Sequence, residues 1–142
     1  MALFLIQGPP ASGKSTWVRE RRKPGDIVID FDDIAATISP GVPSHDYPQH
    51  LRTVAAAARR AAIDEAIKIA NRVNVYYIWA APTAKALAFY RAKGARIITI
   101  DPGRDVVMQR CRDERPAHAL PIVDQWYAGA VGAAPGKDLF AW

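Results

Sequence analysis

Gly8-Pro9-Pro10-Ala11-Ser12-Gly13-Lys14-Ser15 constrains this chain more than any other segment. It satisfies the spacing G-x-x-x-x-G-K-[ST] and stands between an apolar run and a helical pattern. Leu3 to Gln7 reads as a short buried strand, and Ser15 to Arg22 as a helix stopped by Pro24-Gly25. In that setting the glycines let the backbone curl until the N–H groups of Gly8, Ala11, Ser12 and Gly13 point inward at phosphate oxygens. The helix that begins at Lys14 adds the positive end of its dipole. Lys14 is expected to bridge the β- and γ-phosphates of ATP, Ser15 to ligate Mg²⁺, and Thr16 to reach the α-phosphate. The alternative is a glycine-containing turn that matches by chance, and the strand-then-helix context weighs against it.

The rest of the chain repeats the alternation. Ile27-Val28-Ile29 is a second buried strand, followed by Asp30-Phe31-Asp32-Asp33 and a short helix from about Asp33 to Ile38. Ser39 to Pro43 has loop chemistry. Pro48 to Arg72 is the longest helical stretch, with Leu51, Val54, Ala58, Ala62, Ala66 and Ile69 at helical spacing. Val75 to Trp79 is the third strand and Arg96 to Ile100 the fourth, separated by a helix that opens at Pro82-Thr83. A helix from about Arg104 to Asp113, a loop over residues 115–119 and a last helix from Leu120 to Val131 complete the chain. Strands alternating with helices predict an α/β fold with a parallel sheet of about four strands flanked by helices, and ligands bound beyond the carboxyl ends of the strands.

Two clusters fall on that sheet edge. Asp30 and Asp32 share a face if the backbone there is extended. One carboxylate beside a γ-phosphate can take the proton of an attacking hydroxyl, and its neighbour can support Mg²⁺. Asp32 is the preferred base, Asp30 or Asp33 the helix cap, and Ser15, Asp30 and Asp32 the candidate metal ligands. Arg110, Arg112 and Arg115 form the second cluster, and Arg112 and Arg115 face together if helical. Guanidinium forks suit a transferring phosphoryl group, whereas a salt-bridged surface helix with Asp113 and Glu114 is the plainer account. His45, His50 and His118 show no metal-ligand spacing, Cys111 reads as packing, and Trp17 as packing of the first helix on the sheet. Arg59 and Arg60 on the long helix could line a substrate channel, and a solvated helix face is the plainer account.

Bulk properties set the outer limits. A chain of 142 residues, half of them hydrophobic, fits a single domain over residues 1–142 with a loosely held tail at 132–142. One cysteine excludes an internal disulfide and suits a reducing cytoplasm. The N-terminal apolar run is too short for a signal segment or a membrane span. A formal charge of +5 suits phosphate-rich partners, or is a surplus of solvated arginine.

The chain resembles the 5′-kinase domain of phage-type polynucleotide kinases. Ser12-Gly-Lys-Ser-Thr-Trp-Val-Arg-Glu20, Asp32-Asp33 and Arg115-Pro-Ala-His-Ala-Leu-Pro-Ile122 carry the likeness. The resemblance implies a nucleoside-kinase-like P-loop NTPase fold. It also implies Lys14 and Arg115 as the clamp on the β- and γ-phosphates, Asp32 as general base, and ATP with Mg²⁺. The implied acceptor is a nucleic-acid hydroxyl, DNA ahead of RNA, in a phage-encoded protein acting in the host cytoplasm. The pattern departs at Ala35, where the family has an arginine gripping the acceptor's phosphate, and at Trp79-Ala-Ala-Pro-Thr83, where it has an aspartate. A small-molecule or nucleoside kinase, an ATP-binding or hydrolysing protein with no hydroxyl acceptor, and a nucleic-acid-binding module with a vestigial loop stay open as alternatives. Oligomeric state is left open.

Overall fold

A computed structural model describes residues 1–130. Its centre is a four-stranded parallel sheet in the order β2-β3-β1-β4, from β1 (Leu3–Gln7), β2 (Ile27–Asp30), β3 (Val75–Ile78) and β4 (Arg96–Thr99). The chain folds as the α/β P-loop NTPase arrangement that its alternating pattern predicts. Between the strands run α1 (Lys14–Arg21), α2 (Phe31–Ile38), α3 (Gln49–Ile67) and α4 (Ala84–Ala92). After β4 come α5 (Arg104–Glu114), α6 (Ala119–Gln125) and a π-helical turn at Trp126–Ala130. The sequence-predicted last helix to Val131 is thus broken, with Gly129 at φ 82 inside the turn. The expected loose tail at 132–142 lies outside the described residues. No helix of the described residues is long and apolar enough to cross a membrane.

Period-two alternation splits the strand side chains between two faces. Leu3 and Leu5 pack with Ile29, Val75 and Tyr77 against Ile63 and Ala66 of α3 and Tyr90 of α4. Ile6, Tyr76 and Ile78 pack on the opposite face against Val18 of α1. Each such fully buried aliphatic contributes about 1.5–3 kcal/mol of transfer free energy. Trp17 belongs to this second face, edge-on to Tyr76 with centroids 6.3 Å apart, while Phe4 stacks on Tyr76 at 5.1 Å.

Helix α3 departs from the sequence reading. Its buried stripe is Leu51, Ala55, Arg59, Ile63 and Ala66, and Val54 is 56% exposed. An alanine-rich helix offers several faces of similar hydrophobicity, so packing selects among them. Helix α2 presents Phe31 and Ala35, and the fully buried small side chain of Ala55 lets the two helices approach. Ala35 is itself fully buried in that contact. The helix also ends at Ile67, not Arg72, where turns with i→i+3 bonds such as Lys68 N–H to Glu65 O tighten the last residues.

Candidate functional site

Every strand delivers its carboxyl end to one edge of the sheet, and a cavity of about 700 Å³ opens there. The loop after β1 forms its floor. A Cβ on Gly8 would lie 2.2 Å from the Ile100 carbonyl oxygen and 2.7 Å from Ser12 Oγ, so only glycine lets β1 pass so close to the end of β4. Gly13 at φ 102 and Ala11 at φ 58 bend the loop back on itself, but two of the amides expected to face phosphate are already bonded, Gly8 N–H to Ala80 O at 3.1 Å and Ser12 N–H to Pro9 O at 3.2 Å. Lys14 Nζ donates to Gly8 O at 2.9 Å and Pro9 O at 2.8 Å, folding its ammonium over the loop's own carbonyls. Burial pushes the Lys14 ammonium down to about 8, against the pull of Asp30 and Asp32. Lys14 is therefore a half-buried cation in the cavity wall, its ammonium held by the loop's own carbonyls.

Asp30 ends β2 and caps α2, accepting from the Asp32 N–H at 3.3 Å. The helix begins at Phe31, so the extended backbone on which Asp30 and Asp32 would share a strand face is absent. Asp30 instead turns toward the loop, with Ser15 Oγ 3.5 Å from its Oδ2. It is 7% exposed, and burial, then Asp32 and Asp33, raise its carboxyl to about 7. A hydroxyl and a carboxylate side by side are hard oxygen donors of the kind Mg²⁺ takes when phosphates and water complete its shell. Among the described residues no cluster of three histidines, cysteines or acidic residues offers a metal an all-protein cage.

Asp32 faces a different set of partners. Tyr47 Oη donates to its Oδ1 at 2.7 Å, and His45 Nδ1 lies 3.4 Å from the same oxygen. Both come from the loop between α2 and α3, where His45 adopts φ 66. Burial holds the Tyr47 phenol at about 12, so it stays a donor, and burial likewise lowers the His45 imidazole, with Arg115 and Lys14 adding to the effect. Among the described residues nothing engages Oδ2, which leaves that oxygen for a proton. Sequence alone leaves open whether residues 45–48 close over substrate as a lid or simply connect two helices. A tyrosine in a polar loop carries no periodic signal.

The arginine segment divides. Arg110 Nη1 reaches Ala11 O at 3.3 Å and, with Arg115, lines the cavity beside the loop. Arg112 is exposed on α5 and takes no part in the cavity wall. Arg115 lies past the helix in extended backbone, φ −125 and ψ 155, as the residue before Pro116 must. The expectation that Arg112 and Arg115 share a helical face fails on that proline. Thr16 lines the cavity at the start of α1. Cys111 is packed under the loop, 3.7 Å from Pro10 O, and burial pushes its thiol up, which makes it packing. Arg59, read from sequence as solvated, is buried in the wall. After β3 the Ala80 carbonyl accepts from Gly8 N–H and from Trp126 Nε1, so backbone occupies the position where an aspartate is missing.

A family model described as an AAA domain matches residues 3–118. The chain belongs to this AAA-domain family. Two solved structures are similar to this AAA domain. One is a chain of the Pnkp1/Rnl/Hen1 complex, at 20% identity and TM-score 0.49, covering 78% of this chain. The AAA domain spans 38% of that chain's length. The other is the Deinococcus radiodurans tunicamycin resistance protein, at 16% identity and TM-score 0.49, with 93% of this chain and 83% of that one covered. No curated protein matches the sequence.

Proposed function

We propose that this AAA domain is a phosphotransferase that moves the γ-phosphoryl group of ATP onto a hydroxyl. A nucleic-acid hydroxyl ranks first, DNA ahead of RNA, as the likeness to phage-type polynucleotide kinases implies. A small hydroxyl metabolite or nucleoside ranks second. One observation carries the reading: a single cavity is lined at once by Pro10 to Ser15 of the loop, by Asp32 and by Arg110 and Arg115. Asp32, fixed on one oxygen and open on the other, can take the proton of a hydroxyl acceptor.

In this mechanism the loop amides and Lys14 hold the polyphosphate, with Arg110 and Arg115 on its far side. Ser15 and Asp30 would hold Mg²⁺, which would supply neutralisation of phosphate charge. Asp32 Oδ2 takes the acceptor's proton as its oxygen bonds to the γ-phosphorus, and the bond from that phosphorus to the β,γ-bridging oxygen breaks to release ADP. Positioning and charge stabilisation supply most of the rate in such a reaction. Cytoplasmic residence in a phage-infected host accords with the free thiol of Cys111.

The test is a labelled-ATP transfer screen over 5′-hydroxyl oligonucleotides, hydroxymethylated DNA, nucleosides and small alcohols. Label on an acceptor is the expected result. Label found only as free phosphate would make the protein a hydrolase. The loop between α2 and α3 supplies a finer check. Replacing Tyr47 with Phe is expected to slow transfer by about tenfold, because it removes a hydrogen bond to a charged carboxylate. KM for ATP is expected to hold, since Tyr47 touches nothing on the phosphate loop. A change in ATP affinity alone would detach Tyr47 from the acceptor side.

A further inference from the structure

We infer that Arg59 is the seat of a phosphate group carried by the hydroxyl acceptor, an assignment that rests on the phosphotransfer reading. Arg59 is 7% exposed, lines the cavity, and forms no hydrogen bond or ion pair among the described residues. Its guanidinium carbon lies 5.1 Å from the Trp79 ring centroid and 5.7 Å from that of Phe31. Ring faces offset part of the desolvation of a buried cation and fix the plane of the fork, but they cannot accept its N–H bonds. Buried charges in folded proteins are paired, so a guanidinium left with aromatic neighbours only is waiting for a ligand. The Trp79 indole Nε1 in the same wall is also buried without an acceptor. Arg59 and Trp79 both line the cavity, with the guanidinium packed over the indole ring.

Sheet order shows which substrate that ligand belongs to. β2 and β3 lie on one side of β1, and β4 on the other. Arg110 belongs to α5, which follows β4, and bonds the Ala11 carbonyl of the loop. Arg59 belongs to α3 and packs on Phe31, the residue after β2, and on Trp79, the residue after β3. Phe31 is also the chain neighbour of Asp32. Arginines therefore flank the loop on opposite sides, and Arg59 stands with the proton-accepting carboxylate. A planar fork with its donors free suits a phosphate oxygen pair better than a single hydroxyl. The chemistry is shared by the monoester of a small molecule and the diester of a polynucleotide.

Binding to the protein with Mg²⁺ and a non-transferable ATP analogue in the loop tests this. Orthophosphate is titrated first, read by tryptophan fluorescence with Trp79 beneath the fork. Saturable binding is expected, weakened about tenfold or more in Arg59→Met and less in Arg59→Lys, with analogue affinity within about twofold. A nucleoside 3′-monophosphate and a 5′-hydroxyl oligonucleotide, each against the unphosphorylated nucleoside, then separate monoester from diester. Arg59→Met is expected to melt at or above the wild-type temperature, because an unpaired buried charge is gone. If it does not fold, Arg59→Lys decides alone, with weaker phosphate binding expected. Equal phosphate affinity in wild type and variants, or loss of the analogue with phosphate binding intact, overturns the assignment. Failure of the wild type to take up the analogue instead sinks the phosphotransfer reading, and the orthophosphate comparison still decides whether Arg59 binds an anion.

Discussion

Replacing Asp32 with Asn is expected to lower phosphoryl transfer by about 10³-fold, while calorimetric affinity for Mg²⁺ and ATP stays within about twofold. The substitution is close to isosteric. An amide oxygen at the Oδ1 position still accepts from the Tyr47 hydroxyl, now 2.7 Å from that atom. What disappears is the capacity of the other position to take a proton, and that position has no protein partner among the described residues. The loss should therefore fall on the chemical step, and Asp32→Ala, which also strips Tyr47 of its acceptor, should add lost stability to the same loss of rate. Rates equal to wild type would mean that the acceptor's proton leaves late and to water, as a loose transition state permits. Lost nucleotide affinity would move Asp32 to the donor side, beside Ser15 and Asp30.

The parts of this site that sequence reveals are those made by consecutive residues. A tight turn from Gly8 to Ser15, a strand ending on an aspartate, and a strand-then-helix frame are all local, so spacing alone reports them. The parts that sequence hides are made across the fold. Tyr47 meets Asp32 over a separation of 15 residues and a loop rich in Gly and Pro, where no period marks which side chain turns inward. Arg59 looks solvated because arginine on an alanine-rich helix usually is. The signal was present as a strict four-residue spacing: Leu51, Ala55 and Ile63 are buried on one stripe, and Arg59 occupies the remaining position. A charged residue interrupting an apolar stripe points to a buried function more than to a solvated face. Arg112 misled for the opposite reason. Its spacing from Arg115 presumes a helix that Pro116 does not allow.

Stability against pH is the second large effect, and its sign differs on the two sides of neutrality. Asp30 moves from 3.8 to about 7 on folding, so between these values the folded chain binds more protons than the unfolded one. Stability contributed there is present at low pH and lost as pH rises through about 7. Lys14 moves from 10.5 down to about 8, so its contribution is present at high pH and lost as pH falls through about 8. Denaturant melts of the free protein from pH 4 to pH 10 are expected to show a trough between about 7 and 8 on these two shifts. Asp30→Asn should remove the acid wall of the trough. It also takes away the charge that most supports the Lys14 ammonium, so the gain near pH 7.5 is on the order of 1–2 kcal/mol and less than the carboxyl shift alone would give. The same geometry predicts proton traffic on binding. Mg²⁺ at Asp30 displaces a proton below pH 7, and a polyphosphate at Lys14 draws one in above pH 8. Calorimetry in buffers of different ionisation enthalpy should read release changing to uptake across that interval, with the release lost in Asp30→Asn. Binding without proton exchange at either end would mean that the ligand never reaches the two charges, and the free protein's trough would then belong to the fold and not to catalysis.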